Sequence, residues 1–360
     1  MNLYWVGIRE SEILNTGNLF KGNICIYGKN SLMTNTRINH NEDKNWEMID
    51  NYFSETKEKL IKEKPDIKFM HYNYSGMIGK DLKNCICYNN SYLIDDLNNK
   101  FYTKSYFKNV VPVLDYEIIK GKDILFNLKI KKRFGTEIVI QEKEGTGGEN
   151  TSIINIEGDF LLDLKKEYLV STYCKNNIPV NIHLIIGNNK ITLLPPSVQI
   201  IKNINNNLIY MGCDFIAYRS IENKIIKKHE EYAFKIGKEL QKIGYKGICG
   251  IDSIIYNDEV FFMEINPRFQ SSSTILNKAL YENKYPSLQY MQLKSFEGDN
   301  FEDINIDVNY SSIMNLAGIK NTIDVKPFEI YDLDNRELIE ESQSYQSTFV
   351  YDKSIYKQKK

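Results

Sequence analysis

The first 95 residues place short apolar runs on either side of one longer amphipathic stretch. The apolar runs cover residues 23–28, 66–73 and 85–89, and each has the length of a β-strand. In the stretch 45–64, Trp46, Ile49, Tyr52 and Phe53 share one helical face, and Pro65 then ends the helix. The pattern predicts a small α/β lobe. No G-x-G-x-x-G turn occurs in it, which argues against dinucleotide binding.

The pattern of strands becomes denser after residue 95. Residues 95–118 predict a helix and then a strand that leaves the sheet at Pro112. Residues 123–166 contain two β-rich runs around a glycine-rich loop, which predicts a small two-layer subdomain. Strands are also expected at 167–173 and 180–186.

A long amphipathic helix is predicted over residues 228–247. Tyr232, Ile236, Leu240 and Ile243 lie along one face, and Gly244 stands where a helix commonly ends in a left-handed residue. Residues 247–269 then predict two strands joined by a tight turn.

Composition limits the classes of protein that the chain can represent. With 360 residues, 42% of them hydrophobic, the chain is long enough for two or three compact lobes. Its 46 basic and 47 acidic residues give a net charge of −1, so no bulk field attracts nucleic acid or an anionic membrane. The start resembles no signal peptide and no run of about 18 apolar residues occurs, so we expect a cytoplasmic protein. The six scattered cysteines favour buried reduced thiols over a zinc site.

The clearest chemical signal lies in the predicted hairpin. Asp252 is on its first strand, and Glu264, Asn266 and Arg268 follow on its second. Paired strands can bring the oxygen atoms of these side chains to one face, where they suit Mg²⁺ bound with a nucleotide's phosphates. Arg268 would then contact a transferring phosphoryl group. The alternative, a hairpin with solvated charges, would leave several polar groups on an otherwise apolar strand.

A second signal is the glycine-rich loop that contains Gly145, Gly147 and Gly148. Glycines let backbone N–H groups approach phosphate oxygens, so the loop could cover a nucleotide. A flexible hairpin loop would have the same composition, and the loop alone does not separate the two interpretations.

In order along residues 96–275, these motifs resemble the ATP-grasp superfamily, most closely its carboxylate–amine (peptide) ligase and biotin-carboxylase-like branch. The resemblance implies metal ligation by Asp252, Glu264 and Asn266, and catalytic roles for Arg268 and Lys100. It implies substrate binding by Gln199, Arg268 and Gln270. It also implies an ATP site formed by Lys100, Gln141, Lys143, Gly145, Gly147, Gly148, Thr172, Tyr173, Asn181 and His183. Two positions depart from the pattern: Gln141 replaces a lid lysine, for which Lys143 or Lys132 could compensate, and Ser171 replaces a hinge glutamate.

The resemblance also implies a fold of the mixed α/β (α+β) class. Its expected parts are an N-terminal α/β lobe (1–95), an ATP-grasp domain (96–297) that includes a lid at about 123–166 and a central antiparallel sheet, and a C-terminal segment (298–360). The implied activity joins a carboxylate to an amine through an acyl phosphate, with ATP and Mg²⁺, or Mn²⁺ in its place. The expected partners are small molecules, such as amino acids or a short peptide, and a second copy of the chain in a homodimer. A carboxylase, a small-molecule kinase and a silent nucleotide-binding module remain the alternatives.

Overall fold

The computed structural model describes residues 2–27, 30–32, 46–73, 82–124, 127–145, 148, 150–158, 160, 162–298, 301–316, 328–330, 337–341 and 346–358. The helices are α1 Trp46–Glu63, α2 Ser91–Asn98, α3 Lys100–Phe107, α4 Gly121–Ile124, α5 Leu128–Phe134, α6 Phe215–Tyr218, α7 Asn223–Lys242, α8 Ser273–Glu282 and α9 Leu288–Glu297. The strands are β1 Asn2–Arg9, β2 Gly22–Tyr27, β3 Ile67–His71, β4 Tyr116–Lys120, β5 Glu137–Gln141, β6 Thr151–Asn155, β7 Glu167–Thr172, β8 Ile178–Ile186, β9 Ile191–Leu193, β10 Ser197–Ile204, β11 Asn207–Asp214, β12 Gly247–Tyr256, β13 Glu259–Asn266, β14 Ser311–Leu316, β15 Phe328–Ile330, β16 Glu337–Glu341, β17 Gln346–Tyr351 and β18 Tyr356–Gln358.

The N-terminal lobe is a three-stranded parallel sheet in the order β2-β1-β3. Side chains of β1 alternate between two cores, because successive residues of a strand point to opposite faces. Tyr4 and Val6 pack with Phe53 of α1, whereas Leu3 and Trp5 face the other way, into a core shared with α8 and α9. The predicted α1 is confirmed, although the side chains of Trp46 and Ile49 lie outside the described residues.

A large antiparallel sheet forms the centre of the molecule, with the order β13-β12-β8-β10-β11-β6-β5-β7-β4. One face of β8 and β12 packs against α7, and the core there includes Ile182, Ile236 and Leu240. The predicted α7 is confirmed, including its end, where Gly244 has a φ of +86°. The predicted mixed α/β class with a central antiparallel sheet is also confirmed.

The β4–β7 part of the sheet, with α4 and α5, contains the residues, about 123–166, that are predicted to form a lid, and their role as a lid stays a prediction. Its own core contains Ile130, Phe134, Ile138, Ile154 and Val170. Among the described residues, it meets the central sheet in strand register at one pair, Asn207 with Ser152. We call residues 116–172 the lid from here on.

Two predicted local structures differ from those observed. Residues 85–89 form no strand, since only a bridge from Phe69 to Cys85 is present and Cys87 has a φ of +57°. In residues 95–118 the predicted helix and strand are both present, but the strand begins after Pro112, at Tyr116, and Asn99 divides the helical part into α2 and α3 by accepting hydrogen bonds from two backbone N–H groups. The six cysteines are buried and free, as predicted. Within the described ranges, no helix is long and apolar enough to cross a membrane.

Candidate active site

A β-bulge in the β12–β13 hairpin sets the geometry of the site. Asp252 lies directly opposite Glu264, but the next pair is Ser253 with Phe262, so Met263 is an extra residue on β13. Phe262 and Ile265 consequently both point into the core beside α7. Directly opposed residues share a face of the sheet, so Asp252 and Glu264 project together. The predicted hairpin is confirmed, and the bulge was not foreseen.

Amide groups surround the Asp252 carboxylate. Its Oδ1 accepts hydrogen bonds from Asn181 Nδ2 at 2.5 Å and from Gln199 Nε2 at 3.0 Å, and its Oδ2 accepts one from Asn266 Nδ2 at 2.9 Å. Burial, and next the negative charge of Glu264, raise the pKa of Asp252 to about 7. Two carboxylates thus converge where a cation would relieve their repulsion.

Lys100 provides a positive charge beside Glu264. It is the first residue of α3, and its Nζ lies 3.1 Å from Glu264 Oε2. Burial acts to raise the pKa of Glu264, but Lys100 and then Arg268 outweigh burial and hold that pKa below its usual value. The backbone N–H of Lys100 also donates to the carbonyl of Lys143 at 2.9 Å, which ties α3 to the end of the lid strand β5.

Arg268 bridges the hairpin and the N-terminal lobe. Its Nη2 donates to Asn266 Oδ1 at 2.8 Å, and its Nη1 donates to the Phe269 carbonyl at 3.1 Å. Burial raises the pKa of Tyr72, which follows β3, and the nearby positive charge of Arg268 opposes that rise. The Asn266 oxygen that was predicted to bind metal is therefore already engaged by Arg268.

Gln270 and Asn181 continue the polar face. Gln270 Oε1 accepts from Asn181 Nδ2 at 3.1 Å, while Asn181 Oδ1 is buried without a hydrogen-bond partner in the described structure. Gln270 can lie across β12 because the residue beneath it is Gly250, where a Cβ would come within 1.7 Å of Gln270 Oε1. His183 is buried, its Nε2 lies 3.1 Å from Ser273 Oγ, and burial lowers its pKa to about 3.

The predicted lid residues are only partly brought to this site. Gln141 is buried, and its Nε2 donates to Thr151 Oγ1 at 3.4 Å. The side chain of Lys143 is exposed and pairs with Glu144, and Lys132 is exposed as well. Gly145 and Gly148 have positive φ values, and Gly148 packs where a Cβ would come within 1.6 Å of the Leu208 carbonyl. Gly147 lies outside the described residues.

The predicted hinge follows the last lid strand. Thr172 is paired with Ile138, and the backbone N–H of Tyr173 donates to the Glu137 carbonyl at 3.3 Å. Ser171 is buried, and no described group hydrogen-bonds its hydroxyl. The hinge backbone is therefore held within the lid sheet, and its role in binding a base remains a prediction.

The sequence analysis missed Lys104, which is fully buried one helical turn after Lys100. The buried residues of α3 are Lys100, Thr103, Lys104 and Phe107, which follow the i, i+3, i+4, i+7 spacing of a core-facing stripe. A lysine on such a stripe is the signal that could have identified it. The bulge residue Met263, which contacts Lys104, had no comparable signal.

The residues fit a divalent cation with a small set of oxygen ligands. Across the described part of the chain, no group of three or more His, Cys, Asp or Glu side chains could hold a metal alone. The site instead offers two opposed carboxylates and the unpartnered Oδ1 of Asn181, and Mg²⁺ commonly takes one or two carboxylates together with substrate phosphates.

Comparisons with known proteins agree with this geometry. Residues 97–272 match the family described as ATP-grasp domain. This part of the chain therefore carries an ATP-grasp fold. No curated protein matches its sequence.

Solved structures share the fold over nearly the whole chain. The biotin carboxylase domain of 2-oxoglutarate carboxylase from Hydrogenobacter thermophilus has a TM-score of 0.65 and 14% identity, with 97% of this chain and 85% of that chain covered. Phosphoribosylamine–glycine ligase from Thermotoga maritima has a TM-score of 0.63 and 14% identity, with coverages of 97% and 92%. N5-carboxyaminoimidazole ribonucleotide synthetase from Thermotoga maritima has a TM-score of 0.57 and 15% identity, with coverages of 99% and 94%.

Proposed function

We propose that this chain is an ATP-dependent ligase that activates a carboxylate as an acyl phosphate, passes it to an amine and releases ADP and phosphate. The observation that carries the proposal is the pairing of Asp252 with Glu264 beside Lys100 and Arg268, inside an ATP-grasp domain. Opposed carboxylates flanked by cations suit a metal-bound polyphosphate.

The cofactors of the proposed reaction are ATP and Mg²⁺, with Mn²⁺ as the alternative ion. Asp252 and Glu264 would hold the ion, and Asn266 or Asn181 could add an amide oxygen. When bound, the ion neutralises charge on the phosphates and stabilises the charge that develops during transfer. The biotin carboxylase relative was solved with MgADP, ADP and bicarbonate, and this supports the proposed cofactors.

The chain's own side chains would act by binding and positioning. Lys100 lies at the start of α3 and would contact the phosphates, while Arg268, fixed by Asn266 and the Phe269 carbonyl, would face the reacting carboxylate. Lid residues would cover the nucleotide and exclude water from the acyl phosphate.

We propose that the chain consists of an N-terminal lobe (1–95), an ATP-grasp domain (96–297) and a C-terminal segment (298–360).

The proposed substrates are small molecules, with an amino acid or short peptide as the carboxylate or the amine. The relative named phosphoribosylamine–glycine ligase supports this class by its name. A second candidate is a carboxylase, because the relative with a TM-score of 0.65 was solved with bicarbonate. We also propose a cytoplasmic location and a homodimer.

The test is a screen of amino-acid pairs for phosphate release from MgATP, with product masses determined. We expect release to require both a carboxylate and an amine and the product to weigh the sum of the two less one water. ADP formation that depends on bicarbonate, or on a carboxylate alone, would replace the ligase by a carboxylase or kinase. MgATP binding without turnover on any pair would favour a silent nucleotide-binding module.

A further inference from the structure

Lys104 is a buried lysine that does not belong to the proposed metal, ATP and substrate sites. Its exposed fraction is 0%, and within the described structure its Nζ has one hydrogen-bond partner, the sulfur of Met263 at 3.7 Å. No carboxylate of the described chain lies within ion-pair distance of this ammonium. A thioether is a weak acceptor, so three strong donors are buried almost without compensation.

A buried lysine that only stabilised the fold would be expected to have a carboxylate partner. Buried ammonium groups in folded proteins are normally paired, because removing an unpaired charge from water is costly. Lys100, one turn earlier on α3, follows this rule through Glu264. Lys104 shares the same buried stripe but has no ion-pair carboxylate among the described residues, so contacts within the folded chain do not explain a lysine at this position.

The charges around Lys104 indicate what kind of ligand would bind beside it. In the part of the chain that the structure describes, Lys100, Lys104 and Arg268 lie near the two site carboxylates, Asp252 and Glu264, and a divalent ion would add further positive charge. Gln141 at the end of the lid strand is neutral, and Lys143 is exposed and paired with Glu144. A polyanionic ligand, such as a nucleoside triphosphate, would neutralise this excess of positive charge.

We propose that Lys104 is a second nucleotide-binding lysine of α3, which donates hydrogen bonds to an anionic oxygen of bound ATP. This inference rests on the proposed function. It assigns α3 two cations at i and i+4, which is the spacing that places both on one side of the helix. Burial lowers the pKa of Lys104 to about 8, while nearby Glu264 raises it and Lys100 lowers it.

The experiment compares Lys104→Met with Lys108→Met by isothermal titration with MgATP. Lys108 ends the same helix but is exposed, so it is the matched control. We expect Lys104→Met to weaken MgATP binding by about 10- to 100-fold, the range of a hydrogen bond to a charged group, and Lys108→Met to bind like wild type. Because an unpaired buried charge is removed, we expect the free Lys104→Met protein to melt at the same temperature as wild type or a higher one.

The outcomes separate the two proposals. If wild type and Lys108→Met bind MgATP and Lys104→Met binds equally well, the Lys104 inference is wrong and the proposed function stands. A lower melting temperature with unchanged affinity would show a purely structural lysine and would also overturn the inference. If wild type shows no MgATP binding, both proposals fall. Lys104→Gln serves as a second neutral variant if the methionine variant does not fold, with the same loss of affinity expected.

Discussion

At the scale of single residues, the site is a balance between two carboxylates with different partners. Asp252 is held by three amide groups, whereas Glu264 is held by the ammonium of Lys100. Removing either negative charge would weaken the proposed metal site. Only the loss of Glu264 would also leave Lys100 buried without its carboxylate.

This difference gives a paired prediction for Glu264→Gln and Asp252→Asn. Both should abolish phosphate release, because each removes a proposed metal ligand's charge. Glu264→Gln should also lower the free energy of unfolding by about 2 kcal/mol, less than the roughly 3–5 kcal/mol typical of a fully buried pair, because this side chain is 20% exposed. Asp252→Asn turns one acceptor oxygen into an amide donor that faces other amide donors, but it also relieves repulsion with Glu264, so it should cost less stability than Glu264→Gln.

Urea unfolding without nucleotide and an assay of phosphate release would measure the two effects separately. Wild-type turnover in Glu264→Gln would contradict the metal assignment. Equal stability of the two variants would contradict the role of Lys100 as the partner that Glu264 neutralises.

The local part of this site could be predicted from the sequence, and the rest could not. Asn257 and Asp258 both have positive φ values in the two-residue turn, so the pairing of Asp252 with Glu264 followed from a short-range signal. The bulge at Met263 and its contact with Lys104 depend on how α3 packs against β13. The pattern of hydrophobic and polar residues does not predict that contact.

At the scale of elements, errors occurred where a local signal competed with tertiary contacts. The apolar run at 85–89 lacks a neighbouring strand along its length, so it stays irregular with Cys85 and Cys87 buried. β1 was not identified, although it is the central strand of the N-terminal sheet. Its residues are buried on both faces, and a strand of this kind lacks the apolar–polar alternation that marks a half-buried strand.

Gly250 of β12 tests whether the polar face depends on close packing across the strand. In Gly250→Ala the new methyl group would displace the Gln270 side chain, which would remove one hydrogen-bond acceptor from Asn181. Because a flexible side chain can move aside, we expect a stability loss of only about 1 kcal/mol. Turnover in the ligase assay should fall at least about tenfold, since Asn181 also orients Asp252.

Gly158→Ala is the matched control, because a Cβ there meets its nearest atom at 3.6 Å. Urea unfolding and steady-state kinetics of both variants would provide the comparison. Wild-type kinetics in Gly250→Ala would show that Gln270 has no part in positioning the site.

At the scale of the whole molecule, distant parts of the chain meet on the central sheet. β14 pairs with β11 and β17 pairs with β14, which brings both of these late strands onto the central sheet. Asp214, at the end of β11, fixes the chain just beyond β17. Its Oδ2 accepts from Ser354 Oγ at 2.8 Å, Ile355 N at 2.8 Å and Tyr356 N at 3.3 Å.

Asp214 should therefore act as the clamp that holds the C-terminal segment. It is fully buried, and its Oδ1 also caps α6 by accepting from Ala217 N at 2.8 Å. In Asp214→Asn one carboxylate oxygen becomes an amide donor, which would face existing N–H donors at either position. We expect a loss of about 2 kcal/mol in the free energy of unfolding and faster tryptic cleavage after Lys353.

The control is Asp258→Asn, at an exposed turn, which should change the free energy of unfolding by less than about 0.5 kcal/mol. Wild-type stability together with unchanged protection of Lys353 in Asp214→Asn would show that strand pairing alone holds this segment in place.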